Sequence, residues 1–178
     1  MSPEHLQSSE PQRPAAGERV ASPAPPRKRF PVVLLLVVAV FAYLQWPMLK
    51  GTVYRVLGVQ PRNSAIAWQR DFESARSLAQ TTAKPMLLVF SAAWCPPCNV
   101  MKHDVWPDHE VETVVNRDFV PLYLDVDEQS TDAIAERYGV GGIPAVLVVN
   151  AEGTVLRKAS FMSQGKTLEF LNQGTHEN

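Results

Sequence analysis

The segment KPMLLVFSA, Lys84 to Ala92, constrains this chain more than any other. It is a short, continuous apolar run behind a proline, the pattern of a strand buried on both faces, and such strands belong to parallel or mixed sheets covered by helices. The residues from Ser64 onward supply the remaining elements. SAIAWQRDFESARSLAQTTAK places Ile66, Trp68, Phe72, Ala75, Leu78 and Ala79 near helical spacing, which predicts an amphipathic helix of about four turns capped by Ser64. After the strand, CNVMKHDVW reads as a helix with Val100, Met101 and Val105 on one side. Asp108 caps the next through HEVETVVNRD, with Val111, Val114 and Val115 inward.

FVPLYLDVD is a second strand, in which Val120, Leu122, Leu124 and Val126 face one side by alternation. Ser130 caps a helix over TDAIAERY, and Gly139 ends it where a left-handed residue is required. IPAVLVV and VLRKAS, joined by Asn150 to Gly153, read as a hairpin. A last helix starts near Ser163 and runs through GKTLEFLNQ, leaving Thr175 to Asn178 as a frayed end. The order is helix, strand, helix, strand, helix, strand, strand, helix. It describes a small α/β sandwich with a mixed central sheet flanked by helices, occupying residues 64–174. A span of about 110 residues suffices for one core. There is no internal repeat and no Gly-rich phosphate loop.

The N-terminal third has a different composition. Residues 1–29 are rich in Pro, Ser, Glu and Arg and almost lack large apolar side chains, so they read as a disordered tail. Arg27, Lys28 and Arg29 then abut FPVVLLLVVAVFAYLQWPML, residues 30–49, whose only strongly polar side chain is Gln45. At 1.5 Å per residue this run is long enough for one transmembrane helix across roughly 30 Å of hydrocarbon, with Tyr43 and Trp46 as interfacial aromatics at its far end. A cleaved signal peptide is the rival reading, but FAYLQWPMLKG offers no small-x-small cleavage site.

Flanking charge places the tail in the cytoplasm and everything after residue 50 on the exported side of a single-pass membrane anchor. Residues 50–63, KGTVYRVLGVQPRN, read as a partly helical linker. The net charge of −1 and the lack of a basic stripe outside the anchor argue against a nucleic-acid partner.

The only two cysteines, Cys95 and Cys98, stand in SAAWCPPCN directly after the buried strand. As a structural disulfide they would close a tiny loop and remove little unfolded-state entropy. As a zinc site they would need about four ligands, and only His103 and His109 are near. Redox exchange fits better. At the start of a helix, free backbone N–H groups and the helix dipole favour a thiolate on Cys95, the nucleophile, and Cys98 one turn on resolves the mixed disulfide. Pro96 and Pro97 suit the first helical turn and stiffen a solvent-facing loop. This chemistry needs neither a cofactor nor a metal. A different class of reading, a binding or chaperone module with its disulfide closed and idle, predicts a low reduction potential instead.

With these residues in place, the chain resembles the thioredoxin-like family from residue 84 to about 158. KPMLLVFSAAWCPPCNVM is similar to its strand and active-site helix, LYLDVD to its next strand, and YGVGGIPAVLVVNAEGTV to its cis-proline hairpin. The resemblance implies that Ile143–Pro144 is a cis peptide beside the sulfurs, that the Ile143 backbone pairs with a bound substrate strand, and that Trp94 covers the rim. The helix ahead of KPMLLVF and the segment VWPDHEV are most similar to the exported C-terminal domain of the DsbD family of transmembrane disulfide reductases. The Cys-Pro-Pro-Cys loop is similar to membrane-tethered thioredoxins of cytochrome c maturation. Both imply an anchored reductase that exchanges disulfides with exported proteins and draws electrons from a membrane or periplasmic donor. One departure stands out: many thioredoxins carry a buried Asp six positions before the nucleophile, and here that position is Val89. Asp104 and Glu73 are the candidate replacements, and water is the third.

Overall fold

The structure, a computed structural model, describes residues 30–173. The tail expected to be disordered over 1–29, with its Arg27 to Arg29 cluster, and the frayed end at Thr175 to Asn178 lie outside these residues. The sheet has four strands, β1 (Met86–Ser91), β2 (Val120–Asp125), β3 (Ala145–Val149) and β4 (Val155–Ala159), in the order β2-β1-β3-β4. β1 runs parallel to β2 and antiparallel to β3, and β3 and β4 form the antiparallel hairpin. The sheet is therefore mixed, one of the two arrangements that the buried run at Met86 allows.

Alternation along β1 explains why that run is apolar throughout. Leu87 and Val89 point into one layer with Val146, Val148, Val111 and Val115, while Met86, Leu88 and Phe90 point into the other with Leu122, Leu147, Phe72 and Ala75. The first layer is covered by α5 (His109–Asp118) and α7 (Gln164–Gln173), the second by α3 (Phe72–Thr82) and α6 (Gln129–Arg137). Asp108 caps α5 as expected, accepting from the backbone N–H groups of Glu110 and Val111, and Gly139 takes a left-handed φ of 58° after α6.

Two expected caps are displaced. Ser64 does not start a helix: Asp71 accepts from the Ser74 N–H, so α3 begins only at Phe72. Residues 64–71 form no helix: Gln69 gives its N–H to the Pro121 carbonyl and accepts from the Tyr123 N–H, an isolated bridge along the open edge of β2. Backbone pairing at an unfilled sheet edge outweighed the helical spacing of Ile66 and Trp68. Ser130 likewise lies inside α6, whose cap position is Glu128.

The apolar segment is not one helix. α1 (Phe30–Leu44) and α2 (Trp46–Val56) are separated at Gln45 and bent by 63°. Pro47, in the first turn of α2, lacks an N–H and crowds the carbonyl four residues back, which interrupts a continuous ladder. Among the described residues no single helix is long and apolar enough to cross a membrane, though this bent pair together has the length and composition. The expected linker is also shortened, since Lys50 to Val56 belong to α2, and α2 packs closely on the helix that follows Cys95.

Candidate active site

β1 ends at Ser91 and the chain turns through Ala92, Ala93 and Trp94, with the Cys95 N–H bonded to the Ala92 carbonyl at 3.3 Å. α4 (Pro96–Val100) starts immediately after, since Pro96 and Pro97 have no N–H to lose in a first turn. Cys95 occupies the cap position, and its sulfur accepts the Cys98 N–H at 3.2 Å. A π-helical turn, Met101–Val105, continues α4 and keeps Met101 and Val105 in the core. Cys95 and Cys98 are joined as a disulfide, with an S–S distance of 1.97 Å and a Cα–Cα distance of 5.2 Å.

The pair is not solvent-facing, as the proline-stiffened loop suggested. Cys95 is 2% and Cys98 3% exposed, because both sulfur-bearing residues sit in an apolar cluster with Ala92, against which Val126 and Ile143 pack. The Ile143–Pro144 peptide is cis, and Ile143 belongs to the shell around the cysteines. The Pro144 carbonyl accepts from the Ser160 hydroxyl at 3.0 Å. Together Gly141, Gly142, Ile143 and Pro144 line an open groove backed by Ser160. Trp94, next to Cys95 in the chain, is 53% exposed and donates its Nε1–H to Asp127 at 2.9 Å.

Both candidate acids have partners other than the sulfurs. Asp104 is held by α2: Lys50 Nζ lies 2.7 Å from its Oδ2, and the Tyr54 hydroxyl donates to its Oδ1 at 2.9 Å. The Glu73 carboxylate is exposed on α3 and faces Arg76 at 3.9 Å. Val89 is buried beside Met101 and Val105, so the strand position offers only hydrocarbon. His103 stacks on Tyr54 with ring centroids 4.3 Å apart, and burial pulls its imidazole below the usual range. Asp104 opposes that shift, and Lys102 and Lys50 add to it.

Reading the sequence as a linker missed the residues that α2 brings here. Gly51 packs so tightly on α4 that a Cβ would lie 1.7 Å from the Pro96 carbonyl oxygen. The Arg55 guanidinium reaches the Trp94 carbonyl at 3.4 Å. A signal was available, since Trp46, Leu49, Val53 and Val56 recur at three- and four-residue spacing. No such signal marked Asp127 as the partner of Trp94.

A family model described as thioredoxin-like matches residues 67–151. Tryparedoxin of Trypanosoma brucei brucei is 31% identical over 97 residues, which cover 43% of this chain and 67% of that protein. The chain belongs to the thioredoxin-like family. It is also 30% identical over 112 residues to the thiol:disulfide interchange protein DsbD of Ralstonia nicotianae, covering 59% of this chain and 18% of DsbD. The chain thus spans less than a fifth of that relative. The crystal structure of the C-terminal domain of Neisseria meningitidis DsbD in its oxidised form superposes with a TM-score of 0.51 at 26% identity, covering 57% of this chain and 90% of that one. Disulfide-exchange relatives and an adjacent Cys95–Cys98 pair make this thioredoxin-like protein a disulfide oxidoreductase.

Proposed function

We propose that the protein is a membrane-anchored thiol–disulfide reductase whose redox domain lies on the periplasmic side of the inner membrane and acts on exported proteins. The observation that carries the reading is Cys95 at the cap of α4, its sulfur taking the Cys98 N–H, with Ile143 packed against the pair. A hydrogen bond to sulfur at a helix start stabilises the thiolate once the pair is reduced.

In the reduced enzyme the Cys95 thiolate attacks one sulfur of a substrate disulfide. A mixed disulfide forms and the other substrate sulfur leaves as a thiolate. Cys98, deprotonated, then attacks Cys95, which releases the second substrate thiolate and closes the Cys95–Cys98 disulfide. Two electrons have passed to the substrate, and a membrane or periplasmic dithiol donor restores the enzyme by the same exchange in reverse. The Ile143 backbone, in the open groove beside the pair, pairs with the substrate strand, and Trp94 borders it. Water takes the Cys98 proton, since Asp104 is paired within the α2 contact and Val89 cannot accept one.

The expected result in cells is that Cys98→Ser accumulates mixed disulfides with exported proteins while Cys95→Ser traps none. If neither variant changes the thiol state of any exported protein, and the purified protein turns over no disulfide substrate, the reading fails. The burial of both cysteines favours one alternative, a binding module with a closed, inert bridge. A reduction potential below about −300 mV would support that alternative, and a higher one a working couple.

A further inference from the structure

α2 has two faces of opposite character. One is docked: Lys50, Gly51 and Tyr54 meet α4 and the turn behind it through the Pro96 carbonyl, Asp104 and His103. The other carries Trp46, Leu49, Val53 and Val56, with Leu57 just beyond, all exposed. At 3.6 residues per turn these five side chains fall within an arc of about 100°, a continuous apolar stripe. The stripe continues from α1, whose described apolar side chains are exposed on every side, and it turns away from α1 by 63° at Gln45. A helix that leaves a span at that angle, with Trp at its start and apolar residues along one side, has the make-up of an interfacial helix.

We infer that α2 lies in the membrane surface, its Trp46–Leu49–Val53–Val56 stripe among the lipids, and that its docked face pins the Cys95–Cys98 site to the bilayer. The partners so favoured are disulfides or dithiols presented at the membrane surface, in membrane proteins or in exported proteins held there. This rests on the anchored reading above. A flexible tether would let the redox site sample a wide volume. Here Gly51, two residues beyond the apolar segment, is in contact with Pro96, so no free chain separates the site from the membrane. The glycine is the seat of that contact, because any side chain would collide with backbone rather than with a movable side chain.

Depth-dependent quenching tests this on the full chain carrying Cys95→Ser and Cys98→Ser, with a fluorophore on one introduced cysteine at a time. The vesicles are phosphatidylcholine and phosphatidylglycerol, with nitroxide on either the acyl chain or the headgroup. Labels at Val37→Cys and Val53→Cys are expected to lose at least about half their emission to acyl-chain nitroxide. A label at Ala93→Cys should lose a similar fraction to headgroup nitroxide, and one at Glu152→Cys should lose none. In a Gly51→Leu background the Ala93 quenching should fall severalfold while that at Val53 stays.

If Val37 is quenched and Val53 is not, α2 lies off the bilayer and the inference is overturned while the anchor stands. Self-quenching at Val53 that grows with protein density, without lipid quenching, means a second copy covers the stripe, which also overturns it. Unchanged Ala93 quenching in Gly51→Leu overturns the pinning through Pro96. If Val37 itself is unquenched, the anchored reading fails and this inference fails with it.

Discussion

In the proposed mechanism Val89 leaves the resolving thiol without a carboxylate at this strand position, and its surroundings show why a carboxylate there would come at a cost. The side chain is buried on the face of β1 that packs against Met101 and Val105. Val89→Asp places a polar group among hydrocarbon, and the expected loss of stability is about 3 kcal/mol, read from urea unfolding. Burial also holds such a carboxyl neutral above its ordinary range. Release of substrate from the mixed disulfide should therefore accelerate only once the pH exceeds that raised value. Val89→Asn should lose similar stability without any pH-dependent gain. Equal pH profiles for the two variants would show that the carboxylate reaches no proton that matters, and that the sulfurs exchange with solvent by another path.

Among the elements, α5 and α2 are held by identifiable devices. Asp108 Oδ1 satisfies the N–H groups of Glu110 and Val111, and its Oδ2 accepts from Gln164 Nε2 at 2.7 Å, tying α5 to α7. Asp108→Ala should cost about 1–2 kcal/mol of stability, measured in urea with an unchanged m-value. The docking of α2 should depend on pH through His103. Burial lowers its folded pKa, with Asp104 opposing and Lys102 and Lys50 reinforcing, so the undocked state binds the proton more readily. The contribution is complete above the ordinary imidazole value of 6.5 and is lost as pH falls from there toward the lowered folded value. The protection factors of the α2 amides, which divide out the slower intrinsic exchange at lower pH, should thus fall as the pH drops below 6.5, and much less so in a His103→Phe protein.

What the sequence disclosed about these elements follows the same physics. KPMLLVFSA announced its strand because burial on both faces leaves no polar position, and Asp108 announced its helix by local capping. Residues 64–71 misled because the bonds of Gln69 to Pro121 and Tyr123 join segments about fifty residues apart, which no local period records. The cysteine pair was legible through its setting, but its burial was not, since Val126 and Ile143 arrive from distant loops. α2 was half legible: its apolar stripe is written in the spacing, whereas the docked face depends on meeting Pro96.

For the whole molecule, the direction of electron flow is a question of which redox form folds more stably. Closing the ring from Cys95 to Cys98 removes unfolded-chain entropy worth only about 2 kcal/mol for so short a loop. In a thermodynamic cycle, whatever the disulfide adds to folding stability makes the folded pair harder to reduce than the unfolded one by the same free energy, here about 40 mV. A reductase needs that sign, because its dithiol must be the better electron donor. A strong oxidant has the opposite sign, its reduced form being the stabilised one. The thiolate-stabilising bond from the Cys98 N–H to Cys95 favours the reduced state and works against the ring-closure term. Burial of both cysteines works with it, since a thiolate in an apolar cluster is costly. On this balance the oxidised protein should be more stable than the dithiothreitol-reduced protein by up to about 2 kcal/mol, measured as two urea transitions at one pH. A reduced form that unfolds at the higher urea concentration would reverse the cycle and make the protein a donor of disulfides rather than of electrons.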